Sequence, residues 1–446
     1  MRNISFNVND RTDLLPGFVQ HSVGAGRANE LLRKAALSQL DYVHKYCGFR
    51  YVRFHGLLSD DMGVYFEDSS GDPVLNFQYI DMVYDEIIKI GMKPFVELSF
   101  MPDALASGSK TVFWWNGNVT PPKDYSKWHF LIKELTGHWI RRYGPDEVRT
   151  WYFEVWNEPN HPAFFSSDIN EYFRLYAETA KAVKSVDSAL RVGGPATAGN
   201  AWVKELISFC IDNSVPLDFI STHHYSTVAT FDEYGTKQIF LSKTPDSIAQ
   251  AVRRVKNQIL ESPMPDLPLF YTEWSTSPSS RDPVHDSYIE APFILYNLKR
   301  IGNCADSMSY WTFTDIFEEG GIARKPFHGG FGLLNMQSIK KSAFYAYRYF
   351  AELGKQQLEC DDSDSFVCIK PNGDVQVLLW NYKLPEQNKP NSEYFSADLP
   401  PEKSDPVRIS VNGLPQGDYT VKCYRTGYGI CDPYTEYIKK RYERLY

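Results

Sequence analysis

Between about residues 15 and 320, short apolar runs of strand type alternate with longer segments of helical periodicity. This alternation is typical of repeated βα units, which build a parallel sheet. Eight strands are predicted, at residues 17–23, 50–55, 93–99, 150–157, 191–196, 217–223, 268–273 and 307–312. No strand is followed by a Gly-x-Gly-x-x-Gly turn, so the count favours a closed barrel over a doubly wound open sheet. We therefore expect an α/β fold with a (β/α)8 TIM barrel over residues 14–338.

After about residue 340 the pattern changes to short alternating runs separated by turn residues. Strands are predicted at 365–370, 374–382, 407–411 and 418–425. The stretch 383–405 is rich in Pro, Glu, Asn and Ser and is predicted to be a long exposed loop. We expect an accessory antiparallel β-sandwich over residues 339–446, joined by an N-terminal strand within residues 1–13.

Charge and hydrophobicity argue against several classes of partner. The net charge is −8 and no stripe of Lys and Arg is present, so no nucleic-acid partner is expected. No apolar run is long enough to cross a bilayer, so no membrane partner is expected either. The seven cysteines are scattered and lack Cys-x-x-Cys spacing, which predicts free thiols. Residues 1–10 lack the apolar core of a secretory signal, so we expect a cytoplasmic protein.

Two glutamates end strand-type runs in aromatic surroundings. Glu158 lies in Trp151-Tyr-Phe-Glu-Val-Trp-Asn-Glu-Pro-Asn160, and Glu273 lies in Leu269-Phe-Tyr-Thr-Glu-Trp-Ser-Thr276. Barrel enzymes keep their chemistry at the carboxyl ends of the strands, and tryptophan faces suit stacking on a sugar ring. In retaining glycosidases one carboxyl protonates the leaving oxygen while another, about 5–5.5 Å away, attacks the anomeric carbon. The pair therefore predicts glycoside hydrolysis.

Polar and aromatic side chains recur at the other predicted strand ends. They are His55, Asn157, His223, Tyr225, Trp311 and Asp315. Any one of them could be structural, but the set together favours a shared function. Arg53 has the same strand parity as His55 and is expected to point into the barrel. There it either favours the charged form of Glu273 or only fills the interior as part of a salt bridge.

Several long motifs link the chain to a known family of enzymes. They are Cys47-Gly-Phe-Arg-Tyr-Val-Arg-Phe-His-Gly-Leu-Leu-Ser-Asp-Asp61, Thr111-Val-Phe-Trp-Trp-Asn-Gly-Asn-Val-Thr-Pro-Pro-Lys-Asp-Tyr125, Glu147-Val-Arg-Thr-Trp-Tyr-Phe-Glu-Val-Trp-Asn-Glu-Pro-Asn160 and Tyr310-Trp-Thr-Phe-Thr-Asp-Ile-Phe-Glu-Glu319. On these motifs the chain, from about residue 20 to 430, resembles the β-xylosidases of glycoside hydrolase family 39.

The resemblance implies a retaining exo-glycosidase that releases xylose from the non-reducing ends of β-1,4-xylo-oligosaccharides through a covalent glycosyl-enzyme intermediate. It implies that Glu158 is the general acid/base, Glu273 the nucleophile, and Asn157 the partner of the sugar 2-hydroxyl. The residues implied to line the first sugar subsite are His55, Phe113, His223, Tyr225, Trp311 and one or both of Glu318 and Glu319. No cofactor is implied, and a homo-oligomer is expected.

The sequence departs from the family pattern in two regions. Glu273 is followed by Trp274 rather than by Tyr or Phe and then Asn, and His223 is followed by His224 rather than Ala. Both changes predict an altered substrate preference beside the nucleophile. The chain also ends soon after Asp432-Pro-Tyr-Thr435, so the sandwich is expected to be shortened at its C-terminus.

Three alternatives stay open at this point. An α-L-iduronidase or another glycosidase of the same family would share the mechanism, but an iduronate carboxylate favours Lys or Arg at strand ends, where this sequence has few. Bulky Phe113 and Trp311 instead suit a sugar without a sixth carbon. A catalytically weak carbohydrate-binding protein would not require both glutamates. A metal site at His223 and His224 is not expected, because neighbours on one strand point to opposite faces.

Overall fold

The main body of the protein is a closed barrel of eight parallel strands. The computed structural model describes residues 1–443. Each barrel strand pairs with the next one along the chain, and the last pairs with the first. The strands, numbered first to eighth below, are Ser22–Arg27, Tyr51–His55, Lys93–Leu98, Tyr152–Val155, Arg191–Ala198, Phe219–Tyr225, Leu269–Ser275 and Ser307–Tyr310. The predicted (β/α)8 barrel is confirmed.

One helix of ten or more residues follows each barrel strand. In chain order these are Lys34–Cys47, Gln78–Ile90, Tyr125–Tyr143, Ile169–Val186, Val203–Asp212, Ser247–Leu260, Glu290–Ile301 and Ser342–Ala351. In the third of them Asp124 caps the N-terminus by accepting hydrogen bonds from two backbone N–H groups. Its apolar residues, at spacings of three and four, include the fully buried Trp128 and Trp139. No helix within residues 1–443 is long and apolar enough to cross a membrane.

Further helices, turns and hairpins lie before, between and after these units. Further helices are Pro145–Val148, Asn391–Tyr394 and Pro433–Glu443, and 3-10 turns are Gly17–Gln20, Ala28–Leu32, Asp60–Met62, Asp103–Leu105 and Pro283–Asp286. Three antiparallel hairpins pair Tyr65–Glu67 with Pro73–Leu75, Thr111–Val112 with Gly117–Asn118, and Thr227–Phe231 with Lys237–Leu241. The hairpins follow the second, third and sixth barrel strands, so they stand at the end of the barrel where the strands finish.

The first barrel strand begins later than the sequence predicted. Residues Gly17–Gln20 form a 3-10 turn, and the strand runs over Ser22–Arg27. Gly24 and Gly26 weaken the sequence signal for this strand, because glycine has a low strand propensity. Gly24 is nevertheless required, since a Cβ atom there would lie 2.3 Å from Cε3 of Trp311. A glycine with low strand propensity is therefore present at this position because the Trp311 ring packs directly on its backbone.

Aromatic rings fill the interior of the barrel near the start of its strands. Phe95, Phe219 and Phe270 form a buried cluster, with the rings of Tyr51 and Tyr152 packed against it. The centroids of the Phe219 and Phe270 rings are 5.3 Å apart. These rings close this end of the barrel, whereas Arg53 and its carboxylate partners lie further along the strands, toward the carboxyl end.

A smaller pair of sheets lies outside the barrel. Four antiparallel strands run in the order Val375–Leu379, Ser365–Ile369, Gln356–Leu358 and Arg11–Leu14, and Arg2–Asn7 pairs with Val407–Asn412. Ile4 and Phe6 of one sheet share a hydrophobic cluster with Leu358 and Val367 of the other. The additional antiparallel sheet is therefore present as predicted, although the N-terminal strand pairs in parallel. The domain boundary at residue 339 stays a prediction.

Two predictions for the C-terminal region are wrong. Residues 418–425 form no strand, and Val421 is 89% exposed, so an alternating strand there would have no partner for its apolar face. The stretch 383–405 is not exposed throughout. Phe395 is only 1% exposed and packs with Leu241 and Val284, which fixes the adjoining helix Asn391–Tyr394 on the barrel. Residues 444–446, the end of the predicted sandwich, lie outside the described residues.

Replacing Phe219 with Ala should lower the free energy of unfolding by about 3–5 kcal/mol, because the surrounding rings cannot fully close the resulting cavity. Urea unfolding followed by circular dichroism measures this loss. Phe231→Ala is the matched control, since that ring is 71% exposed in a hairpin and its removal should change stability by no more than about 0.5 kcal/mol. Equal losses in the two variants would contradict the role assigned to the interior cluster.

Candidate active site

Arg53 of the second strand occupies the centre of the barrel and is fully buried. Its Nε donates to Glu154 at 2.5 Å and its Nη1 to Glu273 at 2.8 Å. Its Nη2 lies 2.9 Å from Oδ1 of Asn157 and 2.8 Å from Glu97. Burial alone would lower the pKa of Arg53, but the charges of the three carboxylates raise it above its usual range. The guanidinium therefore stays charged and holds four side chains from three strands and one loop.

Glu273 of the seventh strand is held from two sides. Its Oε1 accepts from Arg53, and its Oε2 accepts a 2.6 Å hydrogen bond from the hydroxyl of Tyr225. Burial and the charge of Glu273 raise the pKa of Tyr225 well above its usual range, so this hydroxyl keeps its proton and donates. Nε2 of His55 lies 3.6 Å from Oε1 of Glu273. These contacts fix the carboxylate in one orientation.

Glu158 follows the fourth strand in a strained backbone conformation. The φ angle of Glu158 is 44° and that of Trp156 is 70°, and both lie in the left-handed region that side-chain-bearing residues rarely adopt. The backbone N–H of Glu158 donates to the carbonyl of Ala196 at 2.8 Å. Burial raises the pKa of Glu158 well above its usual range, and the nearby charge of Glu273 raises it further. The carboxyl therefore keeps a proton in its resting state.

A chain of hydrogen bonds determines where that proton lies. The hydroxyl of Thr272 donates to Glu154 at 2.7 Å, so its oxygen is left to accept from Nε2–H of His223 at 3.1 Å. Burial lowers the pKa of His223 well below its usual range, so the ring is neutral and carries a lone pair on Nδ1. That Nδ1 lies 2.9 Å from Oε1 of Glu158. The histidine therefore accepts a hydrogen bond from protonated Glu158.

The two carboxyls are close enough to act on one bond. An oxygen of Glu158, an oxygen of Glu273 and a nitrogen of His223 lie within 4.8 Å of one another. This spacing suits attack by one carboxyl and proton transfer by the other, whereas activation of a water between them requires about 6.5–9.5 Å. The same three residues could approach a metal ion, but Arg53 and Tyr225 already occupy both oxygens of Glu273.

Four of the other predicted residues form one wall beside the carboxyls. The ring of His55 stacks on Phe113 with centroids 6.0 Å apart, and its centroid lies 4.7 Å from that of Trp311. Its Nε2 is 3.8 Å from Oε1 of Glu319. Burial raises the pKa of Glu319 well above its usual range, and the charge of Glu273 adds to this effect. The wall thus combines two aromatic faces with two groups that can form hydrogen bonds.

Glu318 has different partners from its neighbour Glu319. Its carboxylate forms salt bridges with Arg33 at 2.6 Å and with Arg27 at 3.4 Å. Burial alone would raise the pKa of Glu318, but these two arginines lower it overall. The structure therefore brings Glu319 to the carboxyl pair and uses Glu318 to attach the loop to the end of the first strand and the beginning of the helix that follows it.

The two residues at which the sequence departs from the family pattern face away from the carboxyl pair. Trp274 is fully buried and packs against Phe293 of the following helix and Tyr310 of the eighth strand. Nδ1 of His224 lies 3.1 Å from the amide nitrogen of Asn200. Any effect of these residues on substrate preference has to pass through the backbone of their strands.

Sequence reasoning missed Glu97, Glu154 and Thr272. Each lies on a barrel strand, fully or almost fully buried, and contacts Arg53, His55 or another buried polar group. The sequence did contain a signal for these residues. Each lies two positions after an aromatic residue of the interior cluster, which is Phe95, Tyr152 or Phe270, and residues two apart on a strand share a face. A polar residue at such a position has to find a partner inside the barrel.

Comparison with known proteins gives a consistent picture. The sequence matches the glycosyl hydrolases family 39 over residues 3–440. It is 46% identical over 369 residues to a β-xylosidase of Geobacillus stearothermophilus, covering 80% of this chain and 73% of that protein. It is also 46% identical over 381 residues to a β-xylosidase of Caldicellulosiruptor saccharolyticus, covering 84% of this chain and 77% of that protein. The crystal structure of a monomeric β-xylosidase from Caulobacter crescentus CB15 superimposes with a TM-score of 0.93 at 38% identity, covering 99% of this chain and 90% of that chain.

Replacing Arg53 with Met should reduce the free energy of unfolding at pH 7 by about 3–5 kcal/mol, because buried carboxylates lose their counter-charge. In the unaltered protein, Arg53 and His55 outweigh burial and lower the pKa of Glu97. That stabilisation is present above the unfolded pKa of Glu97 and is lost as the pH falls through the folded value. Without Arg53 the pKa of Glu97 rises, so the deficit of the variant should be larger at pH 8 than at pH 5.

Urea unfolding of both proteins at pH 5 and pH 8 measures this difference. Arg348→Met is the control, because Arg348 pairs with Glu352 on a partly exposed helix face and its loss should cost no more than about 1 kcal/mol. A deficit for the Arg53 variant that is constant or shrinks between pH 5 and pH 8 would refute the central role of this cation.

Proposed function

Because the chain belongs to glycosyl hydrolase family 39, we propose that it is a retaining exo-β-xylosidase acting in xylan degradation. It removes single xylose units from the non-reducing ends of β-1,4-xylo-oligosaccharides. The two relatives named β-xylosidase, each 46% identical to this chain, support the choice of sugar. The observation that carries the mechanism is the pair of carboxyls within 4.8 Å, one facing a neutral histidine and the other an arginine.

The first half of the proposed reaction forms a glycosyl-enzyme. Glu158 gives its proton to the oxygen of the scissile bond while Glu273 attacks the anomeric carbon. The bond to the leaving sugar breaks with its electron pair on the protonated oxygen, and an ester to Glu273 forms.

The second half of the proposed reaction hydrolyses this ester. Glu158, now ionised, takes a proton from water, whose oxygen attacks the same carbon and releases Glu273. Two inversions leave the product with the configuration of the substrate.

The surrounding residues are proposed to hold the xylose at the first subsite. Oδ1 of Asn157 accepts from Arg53, which leaves the amide nitrogen free to donate to the sugar 2-hydroxyl. His55, His223, Tyr225 and Glu319 supply further polar contacts at the carboxyls. The faces of Phe113 and Trp311 close the pocket against a sixth carbon. We assign Glu318 the supporting part of holding the loop that carries Glu319.

We further propose a cytoplasmic, homo-oligomeric protein. All seven cysteines are free, including the exposed Cys423 and Cys431, and exposed thiols persist in a reducing compartment. Within residues 1–443 the strand Val407–Asn412 pairs on one side only, and it exposes Val407 and Ile409. An open edge with apolar side chains is suited to pairing with a second chain.

The proposed function predicts that the protein hydrolyses xylobiose and aryl β-xylosides, with β-xylose as the first product seen by NMR. Glu273→Ala should lose turnover of both substrates, because no covalent intermediate can form. Glu158→Ala should lower kcat/KM for xylobiose by about 10²–10⁴-fold but lower kcat/KM for a dinitrophenyl xyloside far less, because kcat/KM reports the first half of the reaction and that leaving group needs no proton. Glu86→Ala, a change at a half-exposed helix position, is the control and should retain activity. α-Xylose as the first product, or an active Glu273 variant, would disprove the proposed roles.

The hydrogen-bond chain predicts a shift in the pH dependence of kcat/KM. In Thr272→Val, Nε2 of His223 loses its acceptor, so the ring can place its proton on Nδ1 and donate to ionised Glu158. The pKa of Glu158 should then fall, and the alkaline limb of the profile should move to lower pH. Thr272→Ser keeps the hydroxyl and should keep the limb in place. Coincident alkaline limbs for the Val and Ser variants would show that the chain does not determine the protonation of Glu158.

A further inference from the structure

Arg27, the last residue of the first strand, is a second buried arginine with charged partners. Its Nη2 lies 3.4 Å from Oε2 of Glu318, and its Nη1 forms a salt bridge with Asp61. Its Cζ lies 5.0 Å from the centroid of the Trp115 ring, which places the guanidinium over an aromatic face. One side chain therefore contacts three loops, which follow the second, third and eighth strands. The mechanism proposed above gives it no part.

On one side, Arg27 supports the ring of Phe113 through Trp115. The centroids of the Trp115 and Phe113 rings are 5.3 Å apart, so Trp115 contacts both the guanidinium and Phe113. Phe113 has a φ angle of 63°, in the left-handed region that is unfavourable for an aromatic residue. Such a conformation persists only where the surrounding structure holds it. Trp115, with Arg27 over its ring, supplies contacts of this kind.

On the other side, Arg27 and Glu30 fix the residue that precedes Glu319. The carboxylate of Glu318 pairs with Arg27, and its backbone N–H donates to Oε1 of Glu30 at 2.8 Å. The other carboxyl oxygen of Glu30 accepts a 3.2 Å hydrogen bond from the backbone N–H of Arg27. The backbone N–H of Trp114 donates to the carbonyl of Glu319 at 2.8 Å. The hairpin that carries Phe113 and the loop that carries Glu319 are thus joined to each other and to the first strand.

Resting on the proposed β-xylosidase function, we propose that Arg27 is a positioning residue that determines substrate specificity. It acts through Trp115 and Glu318 rather than by contact with the sugar. It holds the Phe113 hairpin and the Glu319 loop where they exclude a sixth carbon from the first subsite. Without Arg27 this wall can move outward, and a β-glucoside, which has the carbon that a xyloside lacks, enters the subsite more easily.

The variant Arg27→Gln should remain folded. Glu318 keeps its salt bridge with Arg33 at 2.6 Å, and the side chain of Asp61 is 37% exposed to water. Burial raises the pKa of Glu30 to about 8, so this carboxyl is largely protonated at pH 7 and needs no counter-charge. The substitution therefore leaves no buried carboxylate without a cation.

The test compares an aryl β-xyloside with the β-glucoside that carries the same leaving group. The ratio of their kcat/KM values does not depend on how much of a preparation is folded, so it separates a change in selectivity from general damage. One extra carbon in a closely fitting pocket changes kcat/KM by about 10–200-fold. The preference for the xyloside should therefore fall by about tenfold in Arg27→Gln.

Arg191→Gln is the matched control. Arg191 is also an arginine over an aromatic ring, with its Cζ 3.7 Å from the centroid of Tyr152, but it begins the fifth strand at the opposite end of the barrel. Its loss should keep the ratio of the unaltered protein. Trp115→Leu should reproduce the fall seen in Arg27→Gln. The double variant should lose less than the product of the two single effects, because Arg27 acts in part through that ring.

An unchanged preference in Arg27→Gln refutes the role of Arg27, and so does an equal fall in Arg191→Gln or a double variant whose single effects simply multiply. If Arg27→Gln does not fold, an unchanged preference in Trp115→Leu refutes the proposal as well. If the unaltered protein cleaves no xyloside, or prefers the glucoside, the β-xylosidase function itself fails, and the role of Arg27 fails with it.

Discussion

The structure of the active site depends on one buried cation. Burying the guanidinium of Arg53 without partners would cost several kcal/mol, and burying carboxylates beside it without a cation would cost as much again. Together Arg53, Glu97, Glu154 and Glu273 satisfy one another, which holds the second, third, fourth and seventh strands in a fixed relation. The barrel can therefore keep a polar, water-poor interior at its carboxyl end, above the aromatic cluster that closes the other end.

The position of this cation also makes the surroundings of Glu158 and Glu273 electrostatically different. Arg53 contacts Glu273 directly, while Glu158 has a neutral histidine as its hydrogen-bond partner. Two like groups within 4.8 Å cannot both ionise easily, and the proton goes to the one without the cation. Thr272 and Glu154 add to this difference, because they fix the tautomer of His223 that accepts a hydrogen bond from protonated Glu158. Different partners thus suit two chemically identical side chains to the opposite tasks proposed for them.

The sequence predicted the barrel, its eight units and both glutamates, because repeated strand and helix periodicity and the aromatic motifs are local signals. It misplaced the first strand, since the need for Gly24 comes from the distant Trp311. It also treated Glu318 and Glu319 alike. Only the folded chain shows Arg27 and Arg33 beside the first and the carboxyl pair beside the second. The strand predicted at 418–425 failed because alternation does not supply a partner strand.

The electrostatic requirements of the proposed reaction also limit the cations that can lie beside Glu158. A second cation beside Glu158 would lower its pKa and remove the proton that the leaving group needs. Burial and the charge of Glu273 raise the pKa of Glu158, and Arg53 already opposes this rise. The loop after the eighth strand places Glu319 beside His55 at the carboxyl pair and carries Arg324 and Lys325 at exposed positions a few residues later. The cations of this loop therefore do not add to the positive charge of Arg53 at the proposed acid.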